Sequence, residues 1–234
     1  MLANNNKMII NKLAKNSVKS NKKQYGILFF TIVLSAFMLF CVFTIGWTYL
    51  DSSRLQNTRL NGAEYDITTM NGFTSKQVKS LQSNKNIQNV GMESYAGFIK
   101  SSEFDNTVEI GLLWCDETFW NNLMSPARTK LDGHYPQNKN ELMVTKDILK
   151  ACGNENLSVG DSIVLTYENN TGVHTDKFVI SGIWDGYGDK SAGFVSKNFY
   201  DETGYDLKND GILCIKLNRN YVLPTTIQLS LIHI

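Results

Sequence analysis

The stretch YGILFFTIVLSAFMLFCVFTIGWTYL, Tyr25–Leu50, decides the architecture of this 234-residue chain, because it contains no charged residue. Within Gly26–Leu50, 14 of 25 residues are Leu, Ile, Val or Phe. As an α-helix, such a segment is about 38 Å long, which exceeds the ~30 Å hydrocarbon core of a bilayer. A buried helix of a soluble protein would normally show a polar stripe over this length. The sequence therefore predicts a transmembrane helix over residues 25–50.

A cleaved signal peptide is the main alternative for an apolar stretch near an N-terminus. Its apolar region is about 7–15 residues long and ends in small residues at the cleavage site. Here the apolar run is much longer and ends in the sequence GWTYLDSS (46–53), which contains no A-x-A pattern. Trp47 and Tyr49 carry amphipathic rings that are typical of the headgroup level, so we expect them to be interface anchors. The pattern favours a permanent anchor.

The distribution of charge predicts the orientation of this helix. Residues 1–24 hold six lysines and no acid, whereas residues 51–234 hold the other 17 basic residues and all 22 acids, a net charge of −5. Cytosolic flanks of transmembrane helices carry the excess of Lys and Arg. We therefore expect a plasma-membrane protein with a cytosolic N-terminus and an extracytoplasmic main domain. Its partner on this reading is the lipid bilayer, and no nucleic acid is expected.

The basic segment 1–24 has an internal pattern of its own. Ile9, Leu13 and Val18 lie near one helical face, with lysines around them. This is typical of a short amphipathic helix on the inner leaflet of a membrane. A disordered basic tail is the alternative.

Residues 51–228 alternate strand-like and helix-like patterns, which predicts an α+β domain of mixed strands and short helices, either undivided or split into two lobes. Thr74 and Gln77 form a capping-box pattern at a helix start. Gly153 occupies the position of a left-handed C-cap. The alternating runs around ENNTG (168–172) predict a hairpin. The predicted strands are Ala63–Met70, Asn106–Trp114, Leu142–Val144, Ser162–Tyr167, Thr175–Ile183 and Gly211–Leu217, and the predicted helices are 74–84, Asp116–Leu123 and Lys146–Cys152.

No motif for catalysis, metal binding or cofactor binding occurs in the sequence. His134, His174 and His233 are far apart and lack H-x-x-x-H or H-E-x-x-H spacing. Neither G-x-S-x-G nor G-x-x-x-x-G-K-[ST] is present. Three cysteines lie outside the apolar stretch, and we expect small buried thiols, although one pair could form. The sequence thus predicts no catalytic, cofactor-binding or metal-ligating residue and no enzyme.

Two parts of the chain resemble a known family. The first is KLAKNSVKSNKKQYGILFFTIVLSAFMLF (12–40), and the second is LDGHYPQNKNELMVTKDILKACG (131–153) with LSVGDSIVLTYE (157–168) and DKFVISGIW (176–184). They are similar to the first span and the extracytoplasmic domain of FtsX/MacB-like ABC-transporter permeases, over about 11–218. His134 departs from the family pattern, which usually has Arg there. The matching positions are Gly133, Tyr135, Pro136, Asn140, Glu141, Gly160, Asp161, Ile163, Ile180 and Gly182.

The resemblance implies a MacB-like periplasmic core fold and a permease function. In such transporters a separate cytosolic ATPase subunit hydrolyses ATP, and the motion of the membrane helices reaches the outer domain. That domain then exports or extracts a substrate, or regulates a partner. A second permease copy or homologue is a further implied partner. The matched residues are typical of scaffold: Gly133 and Pro136 in a turn, Asn140 and Glu141 bonded to backbone, and Gly160-Asp161 in a tight turn.

The end of the chain does not fit a complete permease, which has at least four spans. The residues LSLIHI (229–234) are those that a common transposon-end sequencing adaptor encodes. We therefore expect a fragment with a non-native tail at 229–234, and an outer domain that lacks its final elements and exposes an unpaired sheet edge.

Two other functions remain open at this point. One is a single-span, membrane-anchored sensor or binding ectodomain, which would have a second span followed by a signalling module. The other is a membrane-anchored hydrolase, which would require a catalytic constellation that the sequence does not display.

Overall fold

The computed structural model describes residues 6–100, 110–187 and 192–218, and the chain divides into two units, 1–54 and 55–234. The expected non-native tail, 229–234, lies outside the described residues. So do His233 and the first four residues of the predicted strand Asn106–Trp114.

Two helices dominate the N-terminal part of the chain. Helix α1 spans Asn6–Ser20, and helix α2 spans Lys22–Asn61. The basic segment is therefore helical from Asn6 onward, while its place on a membrane surface stays a prediction. Within the described ranges, α2 is the one helix that is long and apolar enough to cross a membrane, by length and composition.

The second unit is built from nine strands and several short helices among its described residues. The strands are β1 (Ile67–Thr69), β2 (Ile87–Lys100), β3 (Ile110–Cys115), β4 (Arg128–Gly133), β5 (Glu141–Thr145), β6 (Ser162–Asn169), β7 (Gly172–Gly186), β8 (Gly193–Val195) and β9 (Ile212–Leu217). The α-helices are α3 (Ser75–Gln82), α4 (Lys146–Ala151), α5 (Lys197–Tyr200) and α6 (Leu207–Asp210), with a π-helix at Phe119–Leu123 and a 3₁₀ turn at Ser125–Ala127. The predicted α+β class is confirmed.

Two helix ends have the chemistry that the sequence predicted. At the start of α3, the Thr74 hydroxyl accepts from the Gln77 N–H at 3.3 Å, and Gln77 Oε1 accepts from the Thr74 N–H at 2.7 Å. This is a complete capping box. After α4, Gly153 has φ +68°, and the Asn154 N–H donates to the Leu149 carbonyl at 2.8 Å. The pattern is that of a Schellman C-cap.

The strand bounds differ from the predicted ones, and β2, β4 and β8 were not among the predicted strands. The predicted strand Ala63–Met70 is reduced to β1, because α2 extends to Asn61 and the Glu64 N–H then donates to the Leu123 carbonyl instead of to a strand. Strand β2 is 14 residues long, although its glycines and polar residues give a weak strand signal. The predicted hairpin is confirmed: β6 and β7 pair from Ser162↔Val179 to Asn169↔Gly172.

The sheet closes on itself. Its order is β1-β9-β2-β3-β8-β5-β7-β4, and β6 bridges β2 and β7. Six strands, β2-β3-β8-β5-β7-β6, therefore form a ring of pairings, while β1–β9 and β4 extend it as flanking strands. A closed ring needs strongly bent strands. Strand β2 bends at a register shift between Tyr95 and Gly97, and a Cβ at Gly97 would lie 2.8 Å from the Glu168 carbonyl oxygen.

Alternation along the strands separates two hydrophobic clusters. Side chains that point into the ring form the inner cluster, whose strand members include Leu112, Leu142, Val144, Ile163, Leu165, Phe178, Ile180 and Val195. Side chains on the opposite face form the outer cluster, together with Ala63 just after α2 and residues of the π-helix. Its members are Ala63, Cys115, Phe119, Trp120, Leu123, Met124, Met143, Trp184, Phe194 and Cys214. A third, smaller cluster lies under α3. All four cysteines are free thiols; Cys115 and Cys214 are buried as predicted, whereas Cys152 is partly exposed, contrary to the prediction.

Candidate functional site

The end of α2 joins the sheet through a short segment, Thr58–Asp66, which we call the junction segment. Gly62 ends the helix with φ +79°, a conformation that glycine adopts without steric cost. Ala63 is then buried in the outer cluster. The Arg59 guanidinium lies over the Tyr187 ring, with Cζ 3.9 Å from the ring centroid. Such a cation–π contact stabilises the last turn of the helix against the sheet.

Hydrogen bonds attach the junction segment to two other elements. The Glu64 N–H donates to the Leu123 carbonyl at 2.7 Å, at the end of the π-helix. The Asp66 N–H donates to the Ile215 carbonyl at 2.9 Å, and Asp66 Oδ2 accepts from a backbone N–H of β9 at 2.8 Å. Glu64 also forms an ion pair with Lys216, and both side chains are largely buried. A shift of this segment would therefore reach β9 directly.

Tyr135, one of the residues matched to the family pattern, connects several strands. Its hydroxyl accepts from the Cys115 N–H at 3.0 Å and lies 3.2 Å from the carbonyl oxygens of Cys115 and Val195. Its ring packs on Trp120 and Phe194, with centroids 5.1 and 6.0 Å away. Burial raises the pKa of Tyr135 well above its ordinary value, and Cys115 adds to this. The phenol is thus protonated, and its hydroxyl links the ends of β3 and β8.

Gly133 and Gly182 face each other across the β4–β7 pair. Gly133 has φ +86°, and a Cβ there would lie 2.2 Å from the Ser181 carbonyl oxygen. A Cβ at Gly182 would lie 2.9 Å from the His134 carbonyl oxygen. The two chains approach closely because both positions lack a side chain. Pro136 is buried in the turn that follows.

Glu141 organises the turn before β5. Its carboxylate accepts from the Gln137 N–H at 2.7 Å and from the Asn138 N–H and side-chain amide at 3.1 and 2.7 Å. Partial burial alone would raise the pKa of Glu141, but these hydrogen bonds lower it below the usual value. Asn140 acts through its backbone carbonyl, which accepts from the Val179 N–H at 2.8 Å.

Gly160 and Asp161 form the turn that precedes β6. Gly160 has φ +94°, and its N–H donates to the Ile180 carbonyl at 2.8 Å. Asp161 Oδ2 accepts from the Ser158 N–H at 2.8 Å, and its backbone carbonyl accepts from the Ile180 N–H at 2.8 Å. The turn is thereby tied to β7 by two backbone hydrogen bonds.

Most of the matched residues therefore lie at turns and strand ends, where their contacts hold backbone segments together, whereas Ile163 and Ile180 are core side chains and Gly182 lies within β7. Trp47 and Tyr49 lie elsewhere, on α2, where both rings are about 70 % exposed (72 % and 71 %). Their role as interface anchors stays a prediction.

Two charged residues next to the outer cluster, Arg128 and Glu93, were not singled out by sequence. Arg128 lies over the Trp120 ring, with Cζ 4.0 Å from the centroid, and burial lowers its pKa. Glu93 lies opposite Cys115 in the β2–β3 pair and opposite Ile212 in the β2–β9 pair. Neither residue belongs to a motif, because their neighbours come from distant strands. In the described part of the chain, no group of three or more His, Cys, Asp or Glu side chains could hold a metal ion.

Comparison with known proteins gives matches among solved structures. No protein-family model and no curated protein matches the sequence. The extracellular domain of the noncanonic ABC-type transporter YknZ from Gram-positive bacteria is 11 % identical, with a TM-score of 0.44 over 68 % of this chain and 78 % of that one. The periplasmic region of MacB from Actinobacillus actinomycetemcomitans is 11 % identical, with a TM-score of 0.46 over 70 % and 79 %.

A third structure, a domain of a protein assigned as a permease from Porphyromonas gingivalis, is 12 % identical, with a TM-score of 0.45 over 73 % of this chain and 71 % of that one. At these identities a likeness concerns the fold alone. The three solved structures are thus two extracytoplasmic domains of ABC-type transporters and a domain of a permease.

Proposed function

We propose that this chain is a first transmembrane helix and an extracytoplasmic domain of the permease subunit of an ABC transporter of the FtsX/MacB type. One observation carries the proposal. A single uninterrupted helix, Lys22–Asn61, contains both the charge-free stretch and the turns that lead into the junction segment. Most residues matched to the family pattern support it, because they contribute backbone contacts or close backbone approaches in the sheet domain.

The mechanism follows from this arrangement. A separate cytosolic ATPase binds and hydrolyses ATP, and its dimerisation moves the membrane helices. Displacement of α2 reaches the sheet through the junction segment, whose bonds to Leu123 and Ile215 transmit it to the π-helix and to β9. The outer domain then exports or extracts a substrate, or regulates a partner outside the membrane. This chain transmits the movement of the membrane helices to the outer domain and performs no catalysis. It lies in the plasma membrane, and a second permease copy or homologue completes the transporter.

Topology is the first test. Lys12→Cys and Lys150→Cys place thiols on opposite sides of the apolar stretch, and both native side chains are exposed. In intact cells, a membrane-impermeant maleimide should label the second variant and not the first, against a background in which Cys152, the partly exposed native thiol of the sheet domain, is alanine. Labelling of Lys12→Cys alone would reverse the orientation and contradict the proposal.

ATPase coupling is the second test. The tagged chain, extracted from its native membrane in mild detergent, should copurify with a P-loop ATPase. The ATPase activity of the purified complex should fall when the Walker lysine of that partner is replaced. Arg59→Ala and Glu64→Ala together should uncouple the ATPase from the outer domain without dissociating the complex. Absence of any copurifying ATPase from membranes that contain the chain would count against the transporter assignment.

A further inference from the structure

Helix α1 and the first turn of α2 carry all the lysines that precede the charge-free stretch. Lys12, Lys15 and Lys19 are separated by three and four residues. At 3.6 residues per turn, this spacing places them along one side of α1. We call these three residues the lysine row. Lys22 and Lys23 follow directly, at the start of α2.

The lysine row has no counter-charge in its own part of the chain. Residues 1–50 contain no Asp or Glu, and the first acid, Asp51, follows the charge-free stretch. Every side chain from Lys7 to Lys23 is exposed. Like charges three or four positions apart destabilise a helix, and an isolated helix of about 15 residues is marginally stable in water. An anionic surface outside the chain would therefore stabilise α1.

The other side of α1 is apolar. Ile9, Ile10 and Leu13 point away from the lysine row, and each is more than 60 % exposed (61 %, 61 % and 64 %). The Ser17 hydroxyl lies 3.3 Å from the Tyr25 hydroxyl, which links the last turn of α1 to the first turn of α2. The apolar side is thus held next to the segment that we place in the membrane. Such a helix lies in the headgroup region, and its flexible lysine stems reach the surrounding phosphates.

We propose that α1 binds the phosphate groups of anionic phospholipids in the bilayer that α2 crosses, and that it selects them over zwitterionic lipids. A bilayer is favoured over an acidic protein surface because it covers the apolar side and neutralises the lysine row at the same time. The attraction extends over about one Debye length, ~8–10 Å at physiological salt, which is comparable to the diameter of a helix. The inference rests on the membrane placement of α2 in the proposed function and is independent of the ATPase.

Hydrogen exchange of the full chain in lipid nanodiscs, followed by mass spectrometry of α1 peptides, tests this selection. One set of discs contains phosphatidylcholine alone, and the other contains phosphatidylcholine with phosphatidylglycerol. Each lysine near an anionic surface strengthens binding by about fivefold. We therefore expect the amides of α1 to exchange at least about tenfold more slowly in the mixed discs. Salt at about 1 M should remove the difference, because the Debye length falls to about 3 Å.

A triple variant and a matched control assign the effect to the lysine row. Lys12→Gln, Lys15→Gln and Lys19→Gln together remove three charges and keep a similar helix propensity, so most of the difference between the two kinds of disc should disappear. The control makes the same change at three exposed lysines of the sheet domain: Lys76→Gln, Lys79→Gln and Lys85→Gln. It should exchange like the wild type throughout α1.

Several outcomes overturn the proposal. Equal exchange of α1 in both kinds of disc does so, and leaves an acidic protein surface as the partner of the lysine row. Equal protection by inorganic phosphate in phosphatidylcholine discs would show a site for the free ion. A difference that persists in the triple variant would place the lipid selection elsewhere in the chain.

The charge-free stretch, residues 25–50, is the internal reference for the membrane placement of α2. Full protection of its amides in both kinds of disc keeps that placement, so a lack of lipid selection by α1 then contradicts this inference alone. Rapid exchange of residues 25–50 would instead contradict the proposed function, and the lipid site with it.

Discussion

Leu142 and Met143 are neighbours in β5, and both side chains are fully buried, yet they lie in different environments. Leu142 points into the ring of strands and packs in the inner cluster, which is aliphatic and aromatic. Met143 points to the opposite face and packs in the outer cluster. There a tyrosine hydroxyl, two thiols, a guanidinium and the Glu93 carboxylate stand among the apolar residues, next to a cavity.

The difference indicates a division of labour within one sheet. The inner cluster is mostly apolar, and its packing stabilises the fold. The outer face carries polar groups, whose desolvation is compensated by hydrogen bonds and ring contacts, and it meets the junction segment. We therefore expect mutations of the inner cluster to act on folding, and mutations of the outer cluster to act also on the response to α2.

The largest expected effect tests the difference between the inner and outer clusters at the neighbouring residues Leu142 and Met143. Leu142→Ala should lower the free energy of unfolding by about 2–5 kcal/mol, because it opens a void in a tightly packed interior. Met143→Ala should cost less, since the methionine side chain is flexible and its neighbours in the outer cluster include Phe194, which lines the cavity and can relax towards it. Urea unfolding of the full chain in micelles, followed by tryptophan fluorescence, measures both. A greater loss for Met143→Ala would mean that the outer cluster is the better packed of the two.

A comparison of two glycines separates backbone strain from collision. Gly133 and Gly160 both have positive φ, at +86° and +94°, but a Cβ meets the Ser181 carbonyl oxygen at Gly133 and nothing within 4 Å at Gly160. Gly160→Ala should cost about 1–3 kcal/mol from strain alone. Gly133→Ala should exceed it in the same unfolding assay. Equal losses would show that β4 moves away from β7 without penalty.

The hydroxyl of Tyr135 provides a test of the polar outer cluster. Tyr135→Phe keeps the ring contacts with Trp120 and Phe194 but leaves the Cys115 N–H without its acceptor. The expected loss of stability is about 1–2 kcal/mol. Tyr200→Phe serves as the control, because it removes a hydroxyl bonded to the Ser94 side chain and not to a backbone group. If Tyr135→Phe is neutral, the hydroxyl network contributes nothing to the outer cluster.

The smallest expected effect concerns Glu141 and pH. Its pKa is lowered in the folded chain, so its contribution to stability is present above the ordinary pKa of a glutamic acid and is lost as pH falls through the folded value. Because the side chain is only partly buried, Glu141→Gln should cost a few tenths of a kcal/mol at neutral pH. The difference between wild type and variant should vanish at acid pH. A difference that grows on acidification would show that the sign of the linkage is wrong.

Local signals predicted a good part of this fold. The charge-free stretch Tyr25–Leu50 predicted the long helix, because its apolar composition is a local signal that does not depend on contacts with other segments. The capping box at Thr74 and the C-cap at Gly153 were predictable because their hydrogen bonds join residues within a few positions of each other. The hairpin β6–β7 was predictable because its turn, ENNTG, is short and its strands alternate.

The remainder was decided by tertiary contacts. Strand β2 has a weak local signal and exists because three strands pair with it, β3, β6 and β9. The ring is closed by the pairing of β2 with β6, which joins residues about 70 positions apart in the sequence. The hydrophobic pattern of neither strand indicates this partner. The same holds for Glu93, whose surroundings come from β3, β9 and the junction segment. Sequence by itself determined which segments are apolar, capped or turned, because those are local energies. The tertiary structure alone decided which face each strand presents and which distant side chains surround the cavity, because those depend on long-range pairing.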